Sequence, residues 1–258
     1  MTDDFRAERA LVIVAHPDDA EFLCGGAVAR LADQGCDVYY LLATSGDKGT
    51  KDESLTPQEL AAIREREQRN AAARLGVREC YFLGYPDGGL EETLELRGQF
   101  VRYIRALKPN VVLSWDGFRN GFNHRDHRIV GRVVRDAIYP AAHDPLYHPE
   151  LRELGLAPHR IDELWLFGAD DPDHYVDIEP YLDRKIDALL EHASQMRGRT
   201  RDDLLKLWQA RSKETKRRTG FRFAEAFRTI DNRQRPQGQP PAAGRPAPPA
   251  RRRAVART

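Results

Sequence analysis

The side chains with the clearest capacity for chemistry are one imidazole and two carboxylates, His16, Asp18 and Asp19, within four consecutive positions. They directly follow the apolar run 11–14, where a buried strand would end and a helix would begin. A second cluster, His124-Arg125-Asp126-His127, lies about 100 residues further along the chain, too far for a local contact. Histidine and aspartate are both ligands of zinc. We therefore predict a metal site built from two distant segments of one domain.

The spacing of these residues indicates which of them bind the metal. His16 and Asp19 lie three residues apart across a turn into a helix, which can aim both side chains at one point. His127, in the first turn of its own helix, supplies a third ligand. Two imidazoles and one carboxylate suit Zn²⁺, and the same set fits Fe²⁺. Three protein ligands leave one position for water, whose pKa falls to about 7 on zinc.

The remaining groups of the two clusters suit proton transfer. Asp18 can accept a proton from the metal-bound water as a general base. His124, as an imidazolium, can stabilise an oxyanion and protonate a leaving amine, and Asp126 can orient one of the imidazoles. Taken singly, these residues have simpler explanations, since an aspartate before a helix is often an N-cap and many histidines lie at the surface. Taken together they favour hydrolysis. A ferrous oxygenase and a non-catalytic sugar or nucleotide binder stay open as alternatives.

The elements that must position these residues follow from hydrophobic periodicity. Apolar runs alternate with helical patterns, which predicts an α/β fold of Rossmann-like type, with three α/β/α layers and a mostly parallel sheet. Helix starts are also visible, because Thr56-Pro57-Gln58-Glu59 combines an N-cap, a proline at the first helical position and a glutamate three residues after the cap. The expected strands are near 11–15, 38–43, 80–83, 111–114, 163–168 and 175–178. The expected helices are near 21–34, 57–75, 94–107, 126–138, 181–192 and 201–217.

Polar segments follow each of the first four predicted strands, at 16–19, 44–47, 84–89 and 115–127. In open parallel sheets, ligands bind beyond the carboxyl ends of the strands. Four separate segments are therefore expected to meet at one edge of the sheet. This agreement supports the site more strongly than any single motif does.

Composition limits the class of protein. The chain has 258 residues, of which 41% are hydrophobic and 31% charged, as expected for a soluble globular protein. No run approaches the ~20 apolar residues of a transmembrane helix, and the acidic N-terminus does not resemble a signal peptide. The three cysteines are scattered, which is typical of reduced thiols. We expect a cytoplasmic protein with no membrane contact.

The C-terminal segment differs from the rest of the chain. Residues 232–258 hold seven arginines, six prolines and no acidic residue. Without those arginines, 34 Lys and Arg face 40 Asp and Glu, so the body of the chain is acidic. Because such a segment cannot bury enough apolar surface to offset ordering entropy, we predict one folded domain at 1–230 and a disordered Pro/Arg-rich basic tail at 231–258. No motif predicts specific binding of nucleic acid.

The motifs resemble the LmbE-like, or PIG-L-like, N-acetylglucosaminyl deacetylase family over roughly residues 9–194. The strong elements are Ala-His-Pro-Asp-Asp at 15–19, followed by Gly25-Gly26, and His-Arg-Asp-His at 124–127. The family pattern at the second site is His-Pro-Asp-His, so Arg125 is a departure outside the three chemical positions. The weaker elements are at 44–49, at Arg64 and Glu67 before Leu75-Gly76, at 82–88 and at 192–195.

This resemblance implies zinc-dependent hydrolysis of an N-acyl group, usually acetyl on a glucosamine unit. Carried over by position, the zinc ligands, the base and the acid are those given above. Arg64 and Asp87 correspond to residues that contact sugar hydroxyls. Their simpler explanations are a surface ion pair of Arg64 with Glu67 and a turn aspartate before Gly88.

We therefore expect an N-deacetylase in which metal-bound hydroxide attacks the amide of a small N-acetylated amino-sugar conjugate. An amidase that cleaves a larger N-acyl group from a glucosaminide or thiol conjugate is the first alternative. The small-molecule substrate is the one partner predicted, and a homo-oligomer is left open.

Overall fold

The computed structural model describes residues 6–121 and 123–233. Within them, seven strands form one sheet, in the spatial order third, second, first, fourth, fifth, seventh, sixth. The first five pair in parallel, whereas the seventh pairs antiparallel with both the fifth and the sixth. The predicted α/β fold with a mostly parallel sheet is confirmed. The strands are β1 (Arg9–Val14), β2 (Asp37–Thr44), β3 (Glu79–Tyr85), β4 (Val111–Trp115), β5 (Glu163–Phe167), β6 (His174–Asp177) and β7 (Ala224–Asp231).

Helices cover both faces of the sheet and complete the three layers. The helices of the described residues are α1 (Asp19–Asp33), α2 (Pro57–Leu75), α3 (Leu94–Leu107), α4 (Arg125–Asp136), α5 (Pro149–Glu153), α6 (Leu182–Glu191), α7 (Ala193–Met196) and α8 (Arg201–Thr219). Helices α1, α2, α6 and α8 pack on one face, and α3 and α4 pack on the other. Strand β1 is covered on both sides, so residues 10–14 have no exposed surface. None of the described helices has the length and hydropathy to cross a membrane.

Local sequence signals account for the helix ends near the site. Thr56 accepts the N–H of Glu59, whose carboxylate accepts the N–H of Thr56, so the predicted capping box is present at the start of α2. Helix α4 ends at Asp136, two residues before the predicted end. It continues as a π-helical segment, Ala137–Ala142, in which Tyr139 is extended. The residue before a proline is pushed toward extended backbone, and Pro140 follows Tyr139.

The sequence analysis did not predict β7. Its buried positions include Glu225, which is 3% exposed, so the strand lacks the apolar alternation that identifies a strand. β7 ends at Asp231, and the N–H of Asn232 donates to the carbonyl of Asp162. The sheet therefore includes the first residue of the predicted tail, because backbone pairing continues past 230. The rest of that tail, 234–258, lies outside the described residues.

Candidate functional site

The structure brings the three predicted metal ligands together. His127 Nε2 lies 3.2 Å from His16 Nδ1 and 3.2 Å from Asp19 Oδ1, while His16 Nδ1 lies 3.7 Å from Asp19 Oδ2. Ligand atoms about 2.1 Å from a tetrahedral metal are about 3.4 Å from one another. The two imidazoles and the Asp19 carboxylate, whose two oxygens face one imidazole each, therefore lie close to one another.

The turn between β1 and α1 sets the direction of Asp18 and Asp19. Asp18 has φ 93° and ψ −23°, the left-handed conformation that residues with a Cβ adopt at an energetic cost. Asp18 is the N-cap residue of α1, but its carboxylate makes no capping bond to the helix, so capping does not account for its side chain. The strained residue instead lets Asp19 fold back on the turn, where Asp19 Oδ2 accepts the N–H groups of Ala15 and His16 at 3.1 and 3.0 Å.

Asp19 is held in its ionised form. Its Oδ2 also accepts the indole N–H of Trp115 at 3.1 Å, which gives this oxygen three donors and leaves Oδ1 toward His127. Burial on its own raises the pKa of Asp19, but His127 and His16 outweigh it and hold the pKa well below its usual range. The carboxylate is therefore charged at every pH at which the protein would work.

His127 is oriented by two neighbours. Its Nδ1 lies 3.2 Å from Asn123 Oδ1, and its ring stacks on Trp115 with centroids 3.8 Å apart and planes 12° apart. When Nδ1–H donates to Asn123, the lone pair of Nε2 is left for a metal. These contacts of Trp115 and Asn123 with His127 were not predicted from the sequence, which left Trp115 open between stacking on a sugar and packing. The only signal available was their position, at the end of β4 and just before His124.

The other side of the His16 ring faces two carboxylates. Its Nε2 lies 3.1 Å from Asp87 Oδ1 and 3.2 Å from Asp126 Oδ2. Burial lowers the pKa of His16, but the hydrogen bonds to Asp126 and Asp87 and the charge of Asp19 outweigh burial and raise it to about 10. This geometry fits the orienting role expected for Asp126, which also accepts the N–H groups of Gly88 and Leu90.

Among the described residues, two trios have ligand-type atoms that all lie within 4.8 Å of one another: His16, His124 and His127, and His16, Asp87 and Asp126. The oxygens of Asp126 already accept two backbone N–H groups, and His124 Nδ1 accepts the N–H of Asp126. If the Nε2–H of His16 donates to Asp126, its Nδ1 carries the remaining lone pair. That lone pair faces His127 and Asp19, and the assignment of these three residues to one cation stays a prediction.

Arg64 is buried next to the turn that carries Asp18. It is 4% exposed, and its guanidinium donates to the carbonyls of Pro17 at 2.6 Å and Gly46 at 3.0 Å. It also lies 3.4 Å from Asp18 Oδ2. The alternative surface pair with Glu67 is wrong, because Glu67 accepts from Ser194. Arg64 therefore holds the backbone and the carboxylate around Asp18 in place. Its contact with sugar hydroxyls stays a prediction.

The environment of Asp18 suits a general base. Burial raises the pKa of Asp18 to about 6, the charge of Asp19 adds to that effect, and Arg64 opposes it. A base is most effective when its pKa lies close to the working pH, because it is then both ionised and basic. Asp18 therefore has the pKa of a base that works near neutrality.

His124 is neutral in this environment. It is the N-cap of α4, and its Nδ1 accepts the N–H of Asp126 at 3.2 Å, so a neutral ring carries its proton on Nε2. Burial, together with the nearby His16 and His127, lowers the pKa of His124. The imidazolium expected from the sequence is therefore disfavoured. A neutral Nε2–H is still able to donate a hydrogen bond to a developing oxyanion.

The loops after β2 and β3 hold Asp87 in place. Lys48 Nζ donates to the Asp87 carbonyl at 2.7 Å, and Asp47 Oδ1 accepts the Asp87 N–H at 2.8 Å. The Asp87 side chain is 10% exposed and contacts His16, so it is more than a turn residue. Gly88 of the same loop donates to Asp126. The loops after β2 and β3 therefore meet the two His/Asp clusters at the carboxyl edge of the sheet, as predicted.

Comparisons with known proteins point to one group of enzymes. The family model described as PIG-L: GlcNAc-PI de-N-acetylase matches residues 11–138, which include both His/Asp clusters. Diacetylchitobiose deacetylase of Thermococcus kodakarensis is 32% identical over 227 residues, which is 86% of this chain and 83% of that protein. The 1D-myo-inositol 2-acetamido-2-deoxy-alpha-D-glucopyranoside deacetylase of Actinosynnema mirum is 30% identical, over 73% of this chain and 81% of that protein. The structure of N,N'-diacetylchitobiose deacetylase from Pyrococcus horikoshii with its inhibitor MPG superposes with a TM-score of 0.80 at 31% identity, over 88% of this chain and 85% of that chain.

Proposed function

We propose that this chain, which belongs to the PIG-L family of GlcNAc-PI de-N-acetylases, removes the acetyl group from a small N-acetylglucosamine-type conjugate. It is an N-deacetylase, a hydrolase that acts on amide bonds. The observation that carries the proposal is the trio His16, Asp19 and His127 at metal-ligand separations, with Asp18 and His124 beside it.

The substrate class is inferred from what the relatives share. By their names, they act on diacetylchitobiose and on a 2-acetamido-2-deoxy-glucopyranoside of inositol. The common unit is an N-acetylated glucosamine, while the group attached to it differs. We therefore propose that recognition centres on the acetamido sugar.

The donor set fits a catalytic metal. His16, Asp19 and His127 would hold Zn²⁺, because two neutral imidazoles and one carboxylate with a free fourth position are typical of hydrolytic zinc sites. When bound, zinc would polarise the amide carbonyl and increase the acidity of a water molecule. The same donors accept Fe²⁺, so metal analysis belongs to the test.

The chain's own residues supply the proton transfers. Asp18, with a pKa near 6, accepts a proton from the attacking water and then holds it. The Nε2–H of His124 donates to the carbonyl oxygen as that oxygen gains charge. The amine is a poor leaving group until it is protonated, and protonated Asp18 returns the proton to the amide nitrogen. Asp126 keeps His16 oriented, and Asp87 and Arg64 are proposed to contact the sugar hydroxyls.

The test is to incubate metal-analysed protein with diacetylchitobiose, an N-acetylglucosaminyl inositol and free N-acetylglucosamine, and to measure acetate and free amine by mass spectrometry. N-propionyl and N-butyryl analogues separate a deacetylase from a general amidase. The Asp18→Asn variant should retain its metal and lose about 100- to 10,000-fold in kcat. Asp136→Asn, on the exposed end of α4, is the matched control. Absence of acetate from every substrate would refute the proposal.

A further inference from the structure

A chain of buried polar side chains leads from the backbone of Asp18 into the protein interior. Gln68 Oε1 accepts the Asp18 N–H at 3.0 Å, and Gln68 Nε2 donates to Glu21 Oε1 at 2.9 Å. The other carboxylate oxygen of Glu21 lies 3.1 Å from His192 Nε2. Gln68, Glu21 and His192 each have 0% exposure, so none of the three can touch a substrate.

These residues are costly to bury. A carboxylate paired with an imidazole loses its hydration, and apolar side chains of similar size would pack in the same space without that loss. They also come from three separate elements, since Glu21 lies in α1, Gln68 in α2 and His192 at the junction of α6 and α7. Packing alone therefore does not account for the choice of residue types.

At the site, this series of hydrogen-bonded side chains ends at the strained residue Asp18. Asp18 lies at φ 93°, and its N–H donates to the side chain of Gln68. On the other side of the turn, Arg64 donates to the Pro17 carbonyl and lies near the Asp18 carboxylate. The left-handed conformation of Asp18 is thus fixed from both sides, and it sets the direction of the Asp18 side chain.

The order of donors and acceptors explains why three residues are needed. The amide of a glutamine can turn over and present either its oxygen or its NH₂ group. Glu21 is an acceptor only, so it binds the NH₂ end of Gln68 and leaves the oxygen toward Asp18. His192 in turn fixes the Glu21 carboxylate. If any link is lost, the Gln68 oxygen is no longer directed at the Asp18 N–H.

We propose that Gln68, Glu21 and His192 are positioning residues that hold the strained backbone of Asp18 and so direct its carboxylate at the reacting water. This inference rests on the proposed function, in which Asp18 is the base. The three residues act through Asp18 and do not contact the substrate.

The first test compares Gln68→Met with Ser194→Ala. Methionine keeps the length and apolar volume of Gln68 but offers Asp18 no strong acceptor. Ser194→Ala removes a bond of 2.6 Å between α7 and α2 that does not reach Asp18. In Gln68→Met we expect kcat to fall about 10- to 100-fold, since a misplaced group costs this much, with KM and bound metal retained. In Ser194→Ala we expect kcat to stay within about twofold.

The second test repeats Gln68→Met in the Asp18→Asn background. If Gln68 acts through Asp18, its removal costs nothing further once the carboxylate is gone. A merely structural role predicts the same fold loss in both backgrounds. His192→Gln and His192→Leu extend the test, because glutamine can still donate to Glu21. We expect His192→Gln to keep most of kcat and His192→Leu to lose as much as Gln68→Met.

A crystal structure of Gln68→Met provides a readout that does not need activity. We expect Asp18 to leave the left-handed region. If Asp18 stays near φ 93° in this variant, or if the losses in the two backgrounds are equal, the positioning role is refuted. If the wild-type protein releases no acetate, the proposed function has failed, and the conformation of Asp18 in the variant still decides the structural claim.

Discussion

Trp115 donates its indole N–H to Asp19 Oδ2 at 3.1 Å, from the end of β4, the strand next to the one that leads into the turn of His16 and Asp19. The same ring stacks on His127, so one side chain touches two of the three proposed ligands. Because Asp19 and His127 lie 96 and 12 positions away from Trp115, the pairing of β1 with β4 is what makes this contact available.

This contact predicts that Trp115→Phe weakens metal binding while the fold is retained. Phenylalanine keeps a stacking ring but removes the donor that holds Asp19 Oδ2. Loss of a residue that orients a ligand typically costs about 10- to 100-fold in metal affinity. Competition with a chelator measures this loss. Trp208→Phe is the control, because within the described residues the Trp208 N–H has no partner. Equal affinities of the two variants would contradict the prediction.

Metal uptake should release a proton. In the metal-free protein the pKa of His16 is about 10, because Asp126, Asp87 and Asp19 outweigh the effect of burial. The ring is therefore protonated on both nitrogens below that pH, and a cation must displace the proton on Nδ1. Apparent affinity should then rise about tenfold per pH unit through the neutral range. Calorimetry in buffers of different ionisation enthalpy measures the release. Asp126→Asn removes one cause of the high pKa and should reduce the number of protons released at neutral pH.

The acidic side of the pH–rate profile should report Asp18. Its pKa is raised to about 6, first by burial and then by the charge of Asp19, and a cation bound nearby would lower it because it favours the ionised carboxylate. As a base it must be ionised, so kcat/KM should fall about tenfold per pH unit on the acidic side of that pKa, at or below pH 6. Arg64 lowers the pKa of Asp18, so Arg64→Met should move this limb to higher pH. A limb that shifts to lower pH in Arg64→Met would count against Asp18 as the base.

Neighbouring glycines of α1 should respond in opposite ways to alanine. A Cβ at Gly26 would meet Ile178 Cγ2 at 2.5 Å, whereas a Cβ at Gly25 would meet its nearest neighbour, Lys185 Cγ, at 3.4 Å. Gly26→Ala should therefore lower the free energy of unfolding by about 1–3 kcal/mol through overpacking. Gly25→Ala should be neutral or stabilising, since alanine favours helix by up to about 1 kcal/mol over glycine. Urea denaturation of the two variants decides the matter.

Several parts of the fold could be predicted because their causes are local. Helix α3 has the predicted bounds, Leu94–Leu107, and α2 begins at its capping box, since periodicity and caps act over a few residues. The meeting of the two His/Asp clusters could also be predicted. That prediction needed only the rule that parallel strands present their carboxyl ends at one edge.

Other parts of the fold and of the site depend on residues that are far apart in the sequence. Strand β7 is specified by β5 and β6, which lie far away in the sequence, and its buried Glu225 breaks the apolar pattern. The partners of Arg64 are carbonyls of two loops, which no spacing on α2 reveals. The links between Gln68 and Glu21 and between Glu21 and His192 span 47 and 171 residues.

The residue types of the site, the elements that carry them and the edge at which they gather can all be read along the chain, because they depend on short-range periodicity and strand direction. The packing of the elements is what turns one nitrogen of His16 toward Asp126 and Asp87 and the other toward His127. It also decided that Asp18 is held in a strained conformation by a buried network. Hydrogen-bond partners and protonation states depend on how elements pack, and packing joins residues that have no relation along the chain.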